Sequence, residues 1–218
     1  MINSFKGVKM DNYWEQRYLA AGMIWGDKPS LSVITAGRIF TDNNVSVIFI
    51  PGCGYGRNAD YFIKHGYEVS GSEISKTASE IAIQLYPGLT IQQGDSLHED
   101  IDPCSADAVF AYNFLHLFRK DERSLLIGKW SKALRPGGII FCTVFSENEN
   151  SFGKGKETES GSFESKPGRA VHYFSEKDLK EHFRNFKLIE TEQFEEPEDH
   201  GGEKHSHNLR YIAVKKEN

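Results

Sequence analysis

Residues 45–50, VSVIFI, are an apolar run broken only by Ser46. Such a run suits a central parallel strand covered on both faces. The rhythm then changes: Ala59, Phe62, Ile63 and Gly66 share one face at helical spacing. The alternation repeats downstream. Residues 67–72 read as a second short strand, and Ser75 caps a helix with Ala78, Ile81, Ala82 and Leu85 on one face. Pro87-Gly88 stops that helix, and residues 89–93 form a third strand. Residues 106–112 are a fourth strand, and 121–134 a helix burying Leu126, Ile127, Trp130 and Leu134. Arg135-Pro136-Gly137-Gly138 reads as a sharp turn into a fifth strand, 139–145. This order predicts an α/β fold with a doubly wound, mostly parallel sheet between two helical layers.

The flanks follow other rules. Residues 11–21 predict a helix capped by Asp11 or Asn12 and ended by Gly22; a turn-rich link leads to a second helix over 31–40. After the fifth strand the rhythm stops. Residues 146–174 are polar, rich in Gly, Ser and Glu, and aperiodic. A stretch this long inside a compact domain reads as a lid or binding loop. It carries Glu157, Glu159, Glu164, Arg169 and His172. Ser175 starts a helix whose buried face is Leu179, Phe183 and Phe186. Residues 187–194 predict a sixth strand, 195–203 an acidic loop and 208–215 a last strand. No helix separates these two strands, so they are expected to be antiparallel.

The first strand leads into Pro51-Gly52-Cys53-Gly54-Tyr55-Gly56-Arg57. A buried strand, a bare-backbone turn and a helix N-terminus present main-chain N–H groups to a polar ligand. A dinucleotide fingerprint requires G-x-G-x-x-G. Here the third glycine comes one residue early, and Arg57 stands in the last place. Glu73 closes the second strand and Asp95 the third. Ends of neighbouring parallel strands share one crevice, so these carboxylates suit ribose hydroxyls and an exocyclic amine. The phosphate-loop pattern GxxxxGK[ST] is absent from the sequence. The set describes a nucleoside ligand without a pyrophosphate.

Composition narrows the partners. The 218 residues carry a formal charge of −5, which gives no long-range attraction to nucleic acid. Cys53, Cys104 and Cys142 form no CxxC pair and are odd in number, which fits a reducing compartment. The first residues show no apolar signal region, and no apolar run approaches the roughly 18 residues of a membrane span. The expectation is a cytoplasmic monomer or homodimer that binds neither nucleic acid nor membrane.

The motifs Pro51–Ala59, Gly71-Ser72-Glu73-Ile74-Ser75, Gly94-Asp95-Ser96, Asp107-Ala108-Val109-Phe110 and Leu134–Gly138 occur in an order that resembles the class I S-adenosylmethionine-dependent methyltransferases. The resemblance covers about residues 45–145. It implies a Rossmann-like sheet of seven strands, the last antiparallel, and S-adenosylmethionine as cofactor. The implied cofactor contacts are Gly52, Cys53, Gly54, Gly56, Arg57, Glu73, Ile74, Asp95, Ser96, Leu97, Tyr112 and Asn113. The opening WxxRY and WGDKPS and the closing HGGEKHSHNLRYIAVKK are similar to small-molecule members of the tellurite-resistance and thiopurine type. This adds Trp14, Arg17 and Trp25, which would close over the methionine end. One domain is implied: a helical cap (1–44), a cofactor-binding core (45–145), a substrate lid (146–174) and a terminal helix and strand pair (175–218). Where the family usually has an acidic residue two places before the first glycine, this chain has Ile50. The methionine amine must then be held by carbonyls near Gly52 or from Tyr112 and Asn113.

Methyl transfer from a sulfonium is an in-line displacement, and the protein mainly supplies proximity and orientation. An alcohol or amine acceptor also needs a base. His116 follows the fourth strand and is one candidate; His200 and His207, within H-x4-H-x-H, are others. If Ser206 begins the last strand, His205 and His207 point the same way. Metal ligation, acceptor contact and a solvated loop remain open readings of that motif, and no metal is assigned. The expected activity is methyl transfer to a small O, N, S or chalcogen nucleophile. The alternatives are protein methylation, or a relative that binds the cofactor without turnover.

Overall fold

A computed structural model describes residues 10–166, 168–199 and 204–217. Two helices, α1 (Met10–Ala21) and α2 (Ser32–Asp42), precede β1 (Val47–Pro51). Then follow α3 (Arg57–Lys64), β2 (Glu68–Glu73), α4 (Lys76–Leu85), β3 (Leu89–Gln93), β4 (Ala106–Tyr112), α5 (Lys120–Ala133) and β5 (Leu134–Phe145). The remaining elements are β6 (Lys156–Glu159), β7 (Ser162–Lys166), β8 (Arg169–His172), α6 (Glu176–His182), β9 (Lys187–Asp199) and β10 (Lys204–Lys215). The main sheet has seven strands in the order β3-β2-β1-β4-β5-β10-β9. Strands β1 to β5 pair in parallel, and β10 runs antiparallel to both neighbours. No helix among the described residues is long and apolar enough to cross a membrane.

Side chains alternate across the strands, so each central strand feeds two cores. Ile48, Ile50, Ala108, Phe110, Ile139 and Phe141 point to the face covered by α2 and α3, where Phe40 and Phe62 pack. Phe49, Val109, Ile140 and Cys142 point to the other face, against Leu126 and Trp130 of α5 and Leu179 of α6. Burial on both faces is why these strands read as unbroken apolar runs. Ser75 and Ser175 cap α4 and α6, accepting from the N–H groups of Ala78 and Asp178.

Four expectations change. Helix α1 begins at Met10, so Asp11 and Asn12 sit inside its first turn instead of capping it. The segment 146–174 is not structureless: β6, β7 and β8 form an antiparallel sheet of three strands. These strands are short and mostly polar, with Phe163 and Val171 too few to set a period. A glycine sets their geometry: a Cβ on Gly155 would lie 2.1 Å from the Glu164 carbonyl oxygen. The acidic stretch after residue 194 continues β9 to Asp199, and β10 starts at Lys204. Its carboxylates are compensated within the fold: Glu196 accepts from the N–H groups of Leu31 (2.7 Å) and Ser32 (3.1 Å). The Arg135–Gly138 turn survives as a break in pairing inside β5, where Ala106 faces Leu134 but Ala108 faces Ile139.

Candidate active site

The C-terminal ends of β1, β2, β3 and β4 open on one cleft of about 1270 Å³. Gly52, Gly54 and Gly56 adopt φ of +60°, +58° and +86°, so the chain leaves β1 through left-handed backbone. The space there is also closed to a side chain, since a Cβ on Gly52 would lie 2.4 Å from the Phe114 ring. Glu73, 5% exposed at the end of β2, accepts from the N–H of Gly54 (2.8 Å) and of Ser75 (2.8 Å). Burial raises its pKa, opposed by these N–H donors. Each of its oxygens retains lone-pair capacity for a ribose hydroxyl. Asp95 accepts from the Leu97 N–H (2.9 Å) and lies 3.0 Å from His98 Nδ1. Asn113 holds φ +48°, with its N–H 2.9 Å from Thr143 Oγ1. A non-glycine residue held there costs energy that the surrounding structure must supply.

An aromatic box closes one end of the cleft. Trp14 and Tyr18 of α1 meet Trp25 and Tyr55, with ring centroids 5.8 Å (Trp14–Trp25) and 6.3 Å (Trp25–Tyr55) apart. The Arg17 guanidinium lies over Trp14 (5.6 Å) and Trp25 (5.5 Å). The box is held in place by hydrogen bonds to the start of α4 and to the link before α2: Glu15 accepts from Ser75 Oγ (2.6 Å) and Thr77 Oγ1 (2.7 Å), and Tyr55 donates to the Gly26 carbonyl (2.7 Å). Faces of aromatic rings attract cationic groups, sulfonium included. Two strand-end carboxylates, the apolar Ile74 and this box fit the hydroxyls, amine, base and sulfonium of S-adenosylmethionine.

The cleft is also walled by His116, Phe145, Glu149, Arg169, Tyr173, Glu198, His205 and His207, of which Arg169 reaches Tyr13 (3.1 Å) and Glu198 reaches Arg57 (3.2 Å) beside the box. His116 is buried and stacks on Phe145 (4.3 Å), which stacks on His207 (4.9 Å). Burial, then the charge of Arg169, holds His116 well below its ordinary pKa. Its Nδ1 accepts from the Phe145 N–H (3.3 Å), which leaves Nε2 as an N–H donor. In that tautomer Nε2 can donate a hydrogen bond into the cleft and is no proton acceptor.

Every proposed cofactor residue except Gly56 lines the cleft; Gly56 instead starts α3, its N–H donating to the Cys53 carbonyl (3.1 Å). His116 and His207 line it too, and His200 lies outside the described residues. Arg57 turns away from the glycine backbone to the Trp25 carbonyl (3.0 Å) and Glu198 (3.2 Å). Of the charged residues picked out in 146–174, Arg169 reaches the cleft, whereas Glu159 pairs with Arg123 (2.7 Å) and His172 with Asp178 (2.7 Å). Glu149 and Glu198 were not legible as site residues. Only the pairing of β9 with β10 and the fold of 146–174 bring them to the cleft, and no motif surrounds either.

The sheet order, the glycine turn and the strand-end carboxylates are the arrangement of the class I S-adenosylmethionine-dependent methyltransferase fold, whose cofactor is S-adenosylmethionine. Residues 50–142 match the family model of a methyltransferase domain. More narrowly, the chain is similar to probable thiol methyltransferase 2 of Arabidopsis thaliana, at 31% identity over 120 residues, 53% of this chain and 53% of that protein. The matched region thus spans about half the length of that curated relative. Among solved structures, the chain superimposes at TM-score 0.77 and 16% identity on one described as converting a disulfide bond into a thioacetal group during echinomycin biosynthesis, covering 95% of this chain and 92% of that one. The 1,6-didemethyltoxoflavin-N1-methyltransferase of Burkholderia thailandensis, solved with 1,6-didemethyltoxoflavin and S-adenosylhomocysteine, aligns at TM-score 0.72 and 17% identity, covering 95% and 87% of the two chains. At these identities the structural likenesses establish the fold.

Proposed function

We propose that this protein methylates a small molecule through an O, N, S or chalcogen nucleophile. The observation that carries this reading is the shape of the cleft. It runs without interruption from Glu73 and Asp95 to the chamber walled by His116, Phe145, Tyr173 and His207. A chamber roofed by β8 residues admits a small acceptor more readily than a folded protein. The relative named a thiol methyltransferase and the neighbour solved with a small heterocycle support the same class of acceptor.

When bound, S-adenosylmethionine supplies a methyl group activated by a sulfonium. The residues of the chain do the rest. Glu73 and Asp95 take the ribose and adenine, with Ile74, Ser96 and Leu97 around the base. Arg17 would pair with the methionine carboxylate, and Trp14 and Trp25 would exclude water from that end. Carbonyls at the glycine turn and Asn113 stand in for the acidic residue absent at Ile50. His116 Nε2–H orients the acceptor, and the strands β6 to β8 act as the lid. Calorimetry with S-adenosylmethionine and S-adenosylhomocysteine, followed by a methyl-release assay over small thiols, phenols, amines and chalcogenides, tests the reading. Failure of both ligands to bind rejects it; binding without turnover of any acceptor points to the non-catalytic alternative.

A further inference from the structure

The β9–β10 edge of the sheet carries a second constellation on the wall of the cleft. His205 of β10 stands directly opposite Glu198 of β9, and His207 lies two residues further on the same face. One ligand atom from each of Glu198, His205 and His207 lies within 4.8 Å of the other two. His205 Nε2 and His207 Nε2 are 2.9 Å apart, and His207 Nε2 is 3.6 Å from Glu198 Oε2. Two imidazole nitrogens and a carboxylate oxygen are therefore aimed at one point.

The hydrogen bonds around His207 fix what it offers to that point. Its Nδ1 lies 3.1 Å from Glu149 Oε1. Glu149 is itself buried and held by the Asn208 N–H (2.6 Å) at Oε2. A carboxylate on Nδ1 places the proton there and leaves Nε2 as a lone pair. A carboxylate behind the ligating imidazole is the arrangement that orients histidine on metals. At His205 the close Nε2 contact accommodates one shared proton, and a cation can take its place once His205 carries its proton on Nδ1. Glu198 is anchored at its other oxygen by Arg57 (3.2 Å) and Tyr112 (3.0 Å), so Oε2 is the oxygen turned to the histidines.

We propose that Glu198, His205 and His207 bind a divalent cation of the zinc type, with Glu149 orienting His207. Two imidazoles and one carboxylate match zinc, whose nitrogen ligands sit at about 2.0–2.1 Å. Three protein ligands leave a fourth position, and all three residues line the cleft. Because the ligands line the cleft, an acceptor bound there can fill that position, and the cation would hold a thiol or hydroxyl acceptor as its anion. The acceptor proton leaves to solvent, the new bond forms between the acceptor atom and the methyl carbon, and the broken C–S pair stays on the sulfur. This role rests on the methyltransferase reading; the binding site does not.

Untagged protein stripped with a chelator and titrated with zinc by calorimetry tests the site. We expect one ion per chain and, with cobalt in its place, the visible bands of a tetrahedral N/O site. His205→Ala, at an exposed position, should abolish both signals while keeping the far-ultraviolet circular dichroism. Glu149→Gln should weaken zinc about 10–100-fold. Zinc binding by the native protein no tighter than by the His205→Ala/His207→Ala double variant overturns the proposal. S-adenosylhomocysteine binding by the metal-free protein is measured in parallel. Retained cofactor binding without zinc binding rejects the metal site alone, and zinc binding without cofactor binding upholds it while rejecting the methyltransferase reading.

Discussion

The guanidinium of Arg57 lies 3.2 Å from the carboxylate of Glu198, with both residues buried, 8% and 7% exposed. This pair ties the helix of the glycine turn to the far edge of the sheet, across the mouth of the cleft. Removing one partner of a buried pair strands the other charge, at a cost of about 3–5 kcal/mol. Arg57 also donates to the carbonyls of Trp25 and Lys28, which soften the loss. Glu198→Ala should therefore destabilise by about 3 kcal/mol in chemical denaturation. A change below about 1 kcal/mol would show that the pair is already solvated.

The glycine turn makes its own prediction. Gly52→Ala places a methyl 2.4 Å from the Phe114 ring at φ +60°. Left-handed backbone alone costs an L-residue about 1–2 kcal/mol. The variant should fold but bind S-adenosylhomocysteine at least about tenfold more weakly, a loss of about 1.4 kcal/mol or more. Gly52→Ala/Phe114→Leu should recover part of that loss. No recovery would mean that backbone conformation, not the ring, controls the site.

Glu73→Ala removes the carboxylate that accepts from Gly54 and Ser75. If the same oxygens take the ribose hydroxyls, calorimetry should show a loss of about 1–3 kcal/mol in cofactor affinity. Unchanged affinity would place the ribose elsewhere.

Two buried histidines set a pH dependence. Burial and then Arg169 depress His116; burial depresses His172, despite its bond to Asp178. In the unfolded chain both titrate near about 6.5. Between the folded and unfolded values the unfolded chain binds more protons, so stability is complete above about pH 6.5 and falls with acidification below it. The thermal midpoint should drop between about pH 7 and 5, and His116→Gln should flatten that drop. A flat native profile contradicts burial of the neutral imidazoles.

The β6–β8 sheet is tied to the rest of the protein by Glu159 on Arg123, His172 on Asp178 and Arg169 on Tyr13. As a lid over the acceptor chamber it should resist protease once S-adenosylhomocysteine is bound. Unchanged cleavage between residues 150 and 170 argues against that role.

Local pattern determined much of this protein. The apolar runs at β1, β4 and β5 are unbroken because helices cover both faces, and such burial is written in the residues themselves. The Gly52–Gly56 turn and the carboxylates of Glu73 and Asp95 stand at strand ends, so element order alone placed them in one crevice. Trp14 and Trp25 were readable as a cap through resemblance, not through any period. What only the tertiary structure decided depends on contacts distant in sequence. Glu196 and Glu198 look like members of a solvated acidic loop, yet Leu31, Ser32 and Arg57, far away in the chain, supply the donors that bury them. The short strands β6 to β8 bury Val171 but are otherwise mostly polar, and partners outside the three strands, Arg123 and Asp178, help hold them. The tautomer of His116 and the convergence of His205, His207 and Glu198 follow from the Phe145 backbone and the β9–β10 register. Neither is encoded in local spacing, since hydrogen-bond partners and cross-strand register are fixed only when the sheet is complete.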